Sequence, residues 1–366
     1  MRRRRLWQGM DRLLFWVVVL LVLIGLAVLY SASYQRALAT GTSYLTKQLA
    51  WLGLGLCAAA LLMVVDYHRW LEGAYLYYGA NLALLAAVLV AGETRGGAQR
   101  WLAAGPFVFQ PSELAKISTI LVLARWLGEH RDAPRRWRAL VPPALIVGFP
   151  MALILKEPNL GTALIFLPVV ASMLWVWRLP SRMWWWLAGS AALAAPLGWG
   201  LLHDYQRSRL LVFVNPNLDP LGAGYTVLQS KIAVGSGLLW GRGWFAGTQN
   251  QLNFLPERHT DFIFSVIGEE WGFLGAAGVL VLYALLLHRG FRIAAESRDP
   301  FGTLLATGLT TLIGCHVIVN VGMTLGLMPV VGLPLPLISY GGSWLLACLA
   351  AVGMILSVGM RRPGFG

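Results

Sequence analysis

Long apolar runs broken by short polar segments set the pattern of this chain. A membrane-crossing helix needs about 20 predominantly apolar residues. Ten runs approach that length: Leu13–Ser31, Leu49–Val65, Gly73–Ala91, Leu114–Leu127, Leu140–Leu155, Thr162–Trp177, Met183–Leu202, Phe262–Leu287, Gly302–Leu327 and Gly342–Val358. The pattern predicts an all-α polytopic membrane protein of about ten transmembrane helices. Most connections are short, but an outer loop of residues 203–261 separates helices 7 and 8. Its leucines, tryptophans and phenylalanines argue against disorder. Within it, Tyr225 to Leu239 spaces Thr226, Gln229, Ser230 and Lys231 among apolar neighbours as a short interfacial helix would. A second outer stretch, Gly96 to Glu113, mixes Arg100, Trp101, Phe107 and Phe109 with prolines and reads as an interfacial or re-entrant segment.

Charge placement orients these spans. With the N-terminus in the cytoplasm, the inner loops carry Arg2, Arg3, Arg4, Arg5, Arg12, Arg69, Arg125, Arg131, Arg135, Arg136, Arg138, Arg178, Arg182, Arg289, Arg292, Arg298, Arg361 and Arg362. That is 18 of the 29 basic residues, as the positive-inside rule requires. Ten spans return the C-terminus to the cytoplasm, and eleven would strand Arg361 and Arg362 outside. The run from Leu13 to Tyr30 is too long for a signal peptide, so the first helix is retained. At 57% hydrophobic and 12% charged residues, the chain leaves no room for a separate soluble domain. The net charge of +13 belongs to membrane orientation rather than to nucleic acid. Cys57, Cys315 and Cys348 lie inside apolar runs without metal-ligand spacing, and are expected to be small buried apolar residues.

The remaining ionisable residues gather at the outer mouth, whereas a transporter keeps polar groups near the bilayer midplane. Glu113 and Lys116 stand three apart on one helical face, which suits either a neutralising ion pair or a cation presented to phosphate. Glu269 and Glu270 lie about two turns below Asp261, and paired carboxylates in a span serve either chemistry or hydrogen bonding within the bundle. Asp261 directly precedes Phe262-Ile263-Phe264 at the membrane lip. There it is either a helix-start carboxylate or a general base tuned by desolvation.

Gly247-Thr248-Gln249, then Phe254-Leu255-Pro256-Glu257-Arg258-His259-Thr260-Asp261-Phe262-Ile263-Phe264 with Glu269-Glu270, resembles the signature of the SEDS family. Supporting segments are Gln110-Pro111-Ser112-Glu113-Leu114-Ala115-Lys116, Asp219-Pro220-Leu221-Gly222-Ala223-Gly224-Tyr225, Asn320-Val321-Gly322-Met323, Pro334-Leu335-Pro336 and Ser339-Tyr340-Gly341-Gly342-Ser343. The likeness spans nearly the whole chain, so residues 1–366 are expected to form a single transmembrane domain of this type. It is closest to the branch that serves cell elongation.

The resemblance implies a peptidoglycan glycosyltransferase in the bacterial cytoplasmic membrane, with both termini cytoplasmic. It would polymerise lipid II at the outer face, release undecaprenyl pyrophosphate and work beside a class B penicillin-binding protein. Carried over, Asp261 is the catalytic carboxylate, and Glu113 and Lys116 belong to the sensitive outer cavity. A departing pyrophosphate calls for fixed cations. Arg100, Lys116, Arg207, Arg209 and Lys231 are the expected substrate contacts, with Arg242 a further cation and Glu269 beside them. A pyrophosphate leaving group would also give a divalent cation such as Mg a place to act, although no metal ligands are assigned. Two positions depart from the family pattern. Glu157-Pro158-Asn159 replaces a Gln-Pro-Asp segment, and Leu238 replaces a glycine after Gly235-Ser236-Gly237. A lipid II flippase is the alternative reading, and a non-catalytic scaffold the third. A flippase needs a polar path inward, which the inner halves of these spans lack.

Overall fold

The computed structural model describes residues 9–41, 43–95, 98–104, 107–131, 137–202, 204–219 and 222–361. Arg2 to Arg5, Arg135, Arg136 and Arg362 therefore lie outside the described residues, as do Gly96, Pro106, His203, Pro220 and Leu221. Each expected span has its helix. In chain order these are α1 (Arg12–Thr40), α2 (Tyr44–Val64), α3 (Tyr67–Ala91), α4 (Pro111–Glu129), α5 (Val141–Lys156), α6 (Leu160–Val176) and α7 (Ser181–Leu201). The long loop contributes α8 (Asp204–Val214), α9 (Ala223–Ser236) and the single turn α10 (Thr248–Gln251). The chain then closes with α11 (Ile263–Ala295), α12 (Pro300–Thr324) and α13 (Gly342–Gly359). Seven helices among the described residues are long and apolar enough to cross a membrane by themselves. The helix α4 carries the charges of Glu113, Lys116 and Arg125, and α6 is shorter. The chain is a multi-pass membrane protein.

Burial separates centre from rim. The most apolar windows of α12 and α13 are 72% and 89% buried, against 22% for α3, so the last two helices form the core and the others wrap them. On the rim, Trp185, Trp186 and Leu193 of α7 are exposed, as side chains facing lipid should be. Cys57 is likewise exposed, so it is not the buried residue expected. Its face of α2 turns away from the bundle, while Cys348 is buried in the core.

The helix ends nearest the two chain termini are tied by charge. Asp11 caps α1 through the Leu14 amide and pairs with Arg289 at 2.6 Å, joining α1 to α11. Asp66 and Arg361 pair at 3.2 Å, and the Tyr67 hydroxyl donates to Asp299. These contacts bring the arginine-bearing helix ends to one side, opposite the long loop.

At the other end, the expected interfacial stretch is instead a small antiparallel sheet, β1 (Glu93–Arg95), β2 (Ala98–Ala104) and β3 (Phe107–Phe109). Leu102 pairs with Phe109 and Ala104 with Phe107. The aromatic and β-branched run Phe107-Val108-Phe109 favours a strand, and pairing satisfies backbone that an isolated re-entrant loop would leave bare.

The long loop is fastened into a break in α11. Gly272 has φ 66° and ψ −165°, a conformation open to glycine, and it interrupts the helix. Groups freed there are taken by the loop: the Phe273 and Leu274 amides donate to the Leu238 and Leu239 carbonyls, and the Arg242 and Gly243 amides donate to those of Glu269 and Glu270. Leu238 adopts φ 49°, so the loop keeps a left-handed bend although the glycine expected there is missing.

Candidate active site

Asp261 precedes α11 by two residues, and its backbone is clamped from several sides. The amides of Thr260, Asp261 and Phe262 all approach the Glu257 carbonyl, at 3.1, 3.1 and 3.3 Å. The buried Asn320 side chain of α12 donates to the Asp261 carbonyl at 2.9 Å and to the Leu333 carbonyl at 2.7 Å. Ser339 donates to the Thr260 carbonyl at 2.6 Å, and the Tyr340 amide donates to the His259 carbonyl. On the far side, Arg258 reaches the Ala32 carbonyl of α1 at 2.8 Å, and the His259 ring packs on Tyr44 of α2. Helices from opposite ends of the sequence thus fix one short segment, the rigidity a reacting group needs.

The Asp261 side chain caps nothing. The N-cap of α11 is Phe262, without a side-chain cap bond, and among the described residues no donor is hydrogen-bonded to the Asp261 carboxylate. The carboxylate instead lines a cavity of about 290 Å³ shared with Arg100, Trp101, Gln110, Glu113, Asn159, Arg209, Glu257 and the turn 331–334. A methyl group on Gly332 would stand 3.3 Å from Asp261 Oδ2 and 3.8 Å from Arg209 Nη1, so the bare glycine leaves room where carboxylate and guanidinium converge. Desolvation pushes the Asp261 carboxyl up to about 6, helped by the Glu257 charge and opposed by Arg209 and Arg100.

The expected site residues divide. Asp261, Glu113, Arg100 and Arg209 meet at this cavity. Arg100 is steadied by the Glu157 and Pro158 carbonyls, and Arg209 by that of Val330. Lys116 does not face the cavity as a phosphate-binding cation would. Its side chain is 1% exposed, and its ammonium has Glu113 Oε2 at 2.8 Å and His316 Nε2 at 2.9 Å. Arg207 and Lys231 also lie outside the lining. Arg207 donates to the Trp199 and Gly200 carbonyls, while the exposed Lys231 lies along Gly326.

Glu269 is a loop fastener in this structure. It accepts from the Gln249 and Asn250 amides and the Thr248 hydroxyl, capping α10. Glu270 accepts from Ser31 and Asn250 beside it. At the departures from the family pattern, Asn159 caps α6 through the Thr162 amide, a task its carbonyl oxygen performs as well as an aspartate would. Glu157 is fully buried, its carboxyl raised to about 8 by desolvation against the pull of Arg100. Sequence reasoning missed His316 and gave Asn320 no role. A lone imidazole and a lone amide in one apolar span were the available signals.

A family model described as cell cycle protein, covering FtsW, RodA and SpoVE, matches residues 11–363. The chain belongs to that family. Peptidoglycan glycosyltransferase MrdB of Escherichia coli K12 is 40% identical over 360 residues, covering 96% of this chain and 94% of the relative. Peptidoglycan glycosyltransferase RodA of Treponema pallidum is 31% identical, with 96% and 98% covered. Among solved structures, a chain from a peptidoglycan synthase complex that coordinates polymerization and crosslinking superposes with TM-score 0.82 at 39% identity, covering 97% and 98%. RodA of Thermus thermophilus superposes with TM-score 0.73 at 37% identity, covering 98% and 99%.

Proposed function

We propose that this chain is a peptidoglycan glycosyltransferase that polymerises lipid II at the outer face of the bacterial cytoplasmic membrane during elongation. Both termini are cytoplasmic, the helices cross about ten times, and residues 203–261 form the outer catalytic loop of a single transmembrane domain. The observation that carries the reading is a carboxylate on a rigid backbone, to which no described residue donates a hydrogen bond, facing two guanidinium groups across a cavity. Asp261 takes the proton of the acceptor sugar hydroxyl, whose oxygen attacks the anomeric carbon of the donor. The bond to pyrophosphate breaks as the new glycosidic bond forms, and the leaving group keeps the electron pair. Arg100 and Arg209 balance the growing charge. A single displacement inverts the anomeric centre, as in inverting glycosidases. With a pKa of about 6, Asp261 is ionised at neutral pH and still basic enough to accept a proton.

The partner in this reading is a class B penicillin-binding protein that cross-links the new strand. Kinship to a chain of a synthase complex supports that pairing. The test supplies lipid II to the purified protein with its partner. Polymer that disappears with Asp261→Asn supports the transferase. Lipid II crossing vesicles without polymer would favour a flippase, and neither outcome in a folded complex would leave a scaffold.

A further inference from the structure

Lys116 cannot serve as a phosphate clamp from where it sits, yet a buried ammonium beside the cavity needs an account. Its surroundings supply one. Glu113 Oε2 stands 2.8 Å away, His316 Nε2 2.9 Å away, and the face of Trp344 lies 4.4 Å from the ammonium. His316 is fully buried and stacks on Trp344, with ring centroids 3.8 Å apart. Its other nitrogen, Nδ1, is 3.3 Å from the Pro334 carbonyl.

These contacts fix the imidazole's protonation state by geometry. An ammonium has only donors, so Nε2 facing it must offer a lone pair. Nδ1 must then carry the hydrogen and donate it to Pro334. The ring is neutral, in one tautomer, with both nitrogens used. Glu113, Pro334 and Trp344 all line the cavity that holds Asp261.

We propose that His316 is a positioning residue: by accepting from Lys116 and donating to Pro334, it holds the Glu113 carboxylate and the 331–334 turn in register around the acceptor site. It acts through Lys116 and touches no reacting atom. The proposal rests on the transferase reading of the cavity. Without the imidazole, the ammonium loses one of its two close acceptors, and only Glu113 and the Trp344 face restrain it. The Lys116–Glu113 pair is then free to shift together and the Pro334 turn is released. Chemistry suffers more than substrate binding, because misplacement by about 1 Å at a reacting centre costs rate.

The test compares His316→Leu, which keeps bulk but removes both polar contacts, with His316→Gln, which restores an acceptor and a donor. Polymerisation of lipid II by the purified complex gives kcat and KM, and a thermal melt reports folding. The expected result is a kcat lowered about 10-fold or more in His316→Leu, with KM nearly unchanged, and most of the loss recovered in His316→Gln. A wild-type kcat in His316→Leu overturns the proposal, as does a His316→Gln no better than His316→Leu. Glu113→Gln, assayed alongside, separates two failures. If it is inactive while His316→Leu is active, only the role of His316 falls. If it is fully active, the reading of the cavity falls with it.

Discussion

Replacing Asp261 by asparagine should abolish activity and stabilise the protein at once, and the two effects share one cause. The folded carboxyl is raised to about 6 from an ordinary 3.8, chiefly by desolvation. A carboxyl raised on folding favours the folded state fully below its unfolded pKa, and that advantage disappears as pH rises through the folded value. At pH 7.5 the ionised carboxylate therefore costs the folded protein roughly two pH units of linkage. That amounts to at most about 3 kcal/mol, and less to the extent that the cavity admits water. Asparagine stays neutral at every pH.

Asp261→Asn should accordingly melt higher than the parent at pH 7.5 and alongside it near pH 4, while polymerisation falls about 100-fold or more. The parent's own rate should climb about tenfold between pH 5 and 7 as the carboxyl ionises, on the two-state titration expected for a base near 6. Melting in detergent across pH, with gel-based polymerisation of lipid II, measures all three. A helix cap would behave differently, since asparagine caps about as well as aspartate: stability would change little at either pH and the rate would be largely spared. An Asp261→Asn that gains no stability at pH 7.5 and still polymerises would refute the reasoning.

Other perturbations read other parts of the site. Gly332→Ala places a methyl between Asp261 and Arg209 at a φ of +72°, and should lower polymerisation at least tenfold with about 1 kcal/mol of strain. Asn320→Leu leaves the Asp261 and Leu333 carbonyls without their donor, so a rate loss near 100-fold and a stability loss of about 2 kcal/mol are expected from kinetics and melting. Glu157 has a folded pKa raised from 4.5 to about 8, so its contribution is lost progressively as pH rises between those values; Glu157→Gln should flatten the fall in melting temperature between about pH 5 and 8. Cysteines at Leu218 and Arg69, in a background without the native three, should react with an impermeant thiol reagent from opposite sides of the membrane, and labelling from one side would break the proposed topology.

Much of the fold was legible because span length and arginine placement are dictated by the bilayer itself. The ten apolar runs and the helix near Tyr225 all became helices. The sheet at Glu93–Phe109 was hidden because three-residue strands leave little alternation to read, and the bulge between Glu93 and Thr94 disrupts even that. At the site, Asp261, Glu113 and Arg100 stood out as charges where charge is expensive. The facing of Lys116 did not. A spacing of three places two side chains on one helical face, but it leaves open which of them reaches the cavity and which turns into the bundle. The answer depended on His316, which is 200 residues distant in the chain. Asn320 was similarly silent, since one amide in an apolar span gives no hint of the carbonyls it will serve.

The carboxylates at this end show how donors, rather than depth, separate holding from reacting. Glu269 is fully buried and accepts from two backbone amides and a hydroxyl, which occupy its lone pairs. Those neighbours make it a fastener for the long loop. Asp261 has the opposite balance: its main chain is bonded on every side while its carboxylate receives no hydrogen bond from the described residues. Rigidity comes from the backbone, and basicity from leaving the oxygens unserved. The Asp261 bonds spend stability on the position of a group that is itself costly to bury. A folding requirement alone would remove that cost by substituting a neutral residue. A carboxylate kept there, in a pocket that raises its pKa toward neutrality, is placed to accept a proton.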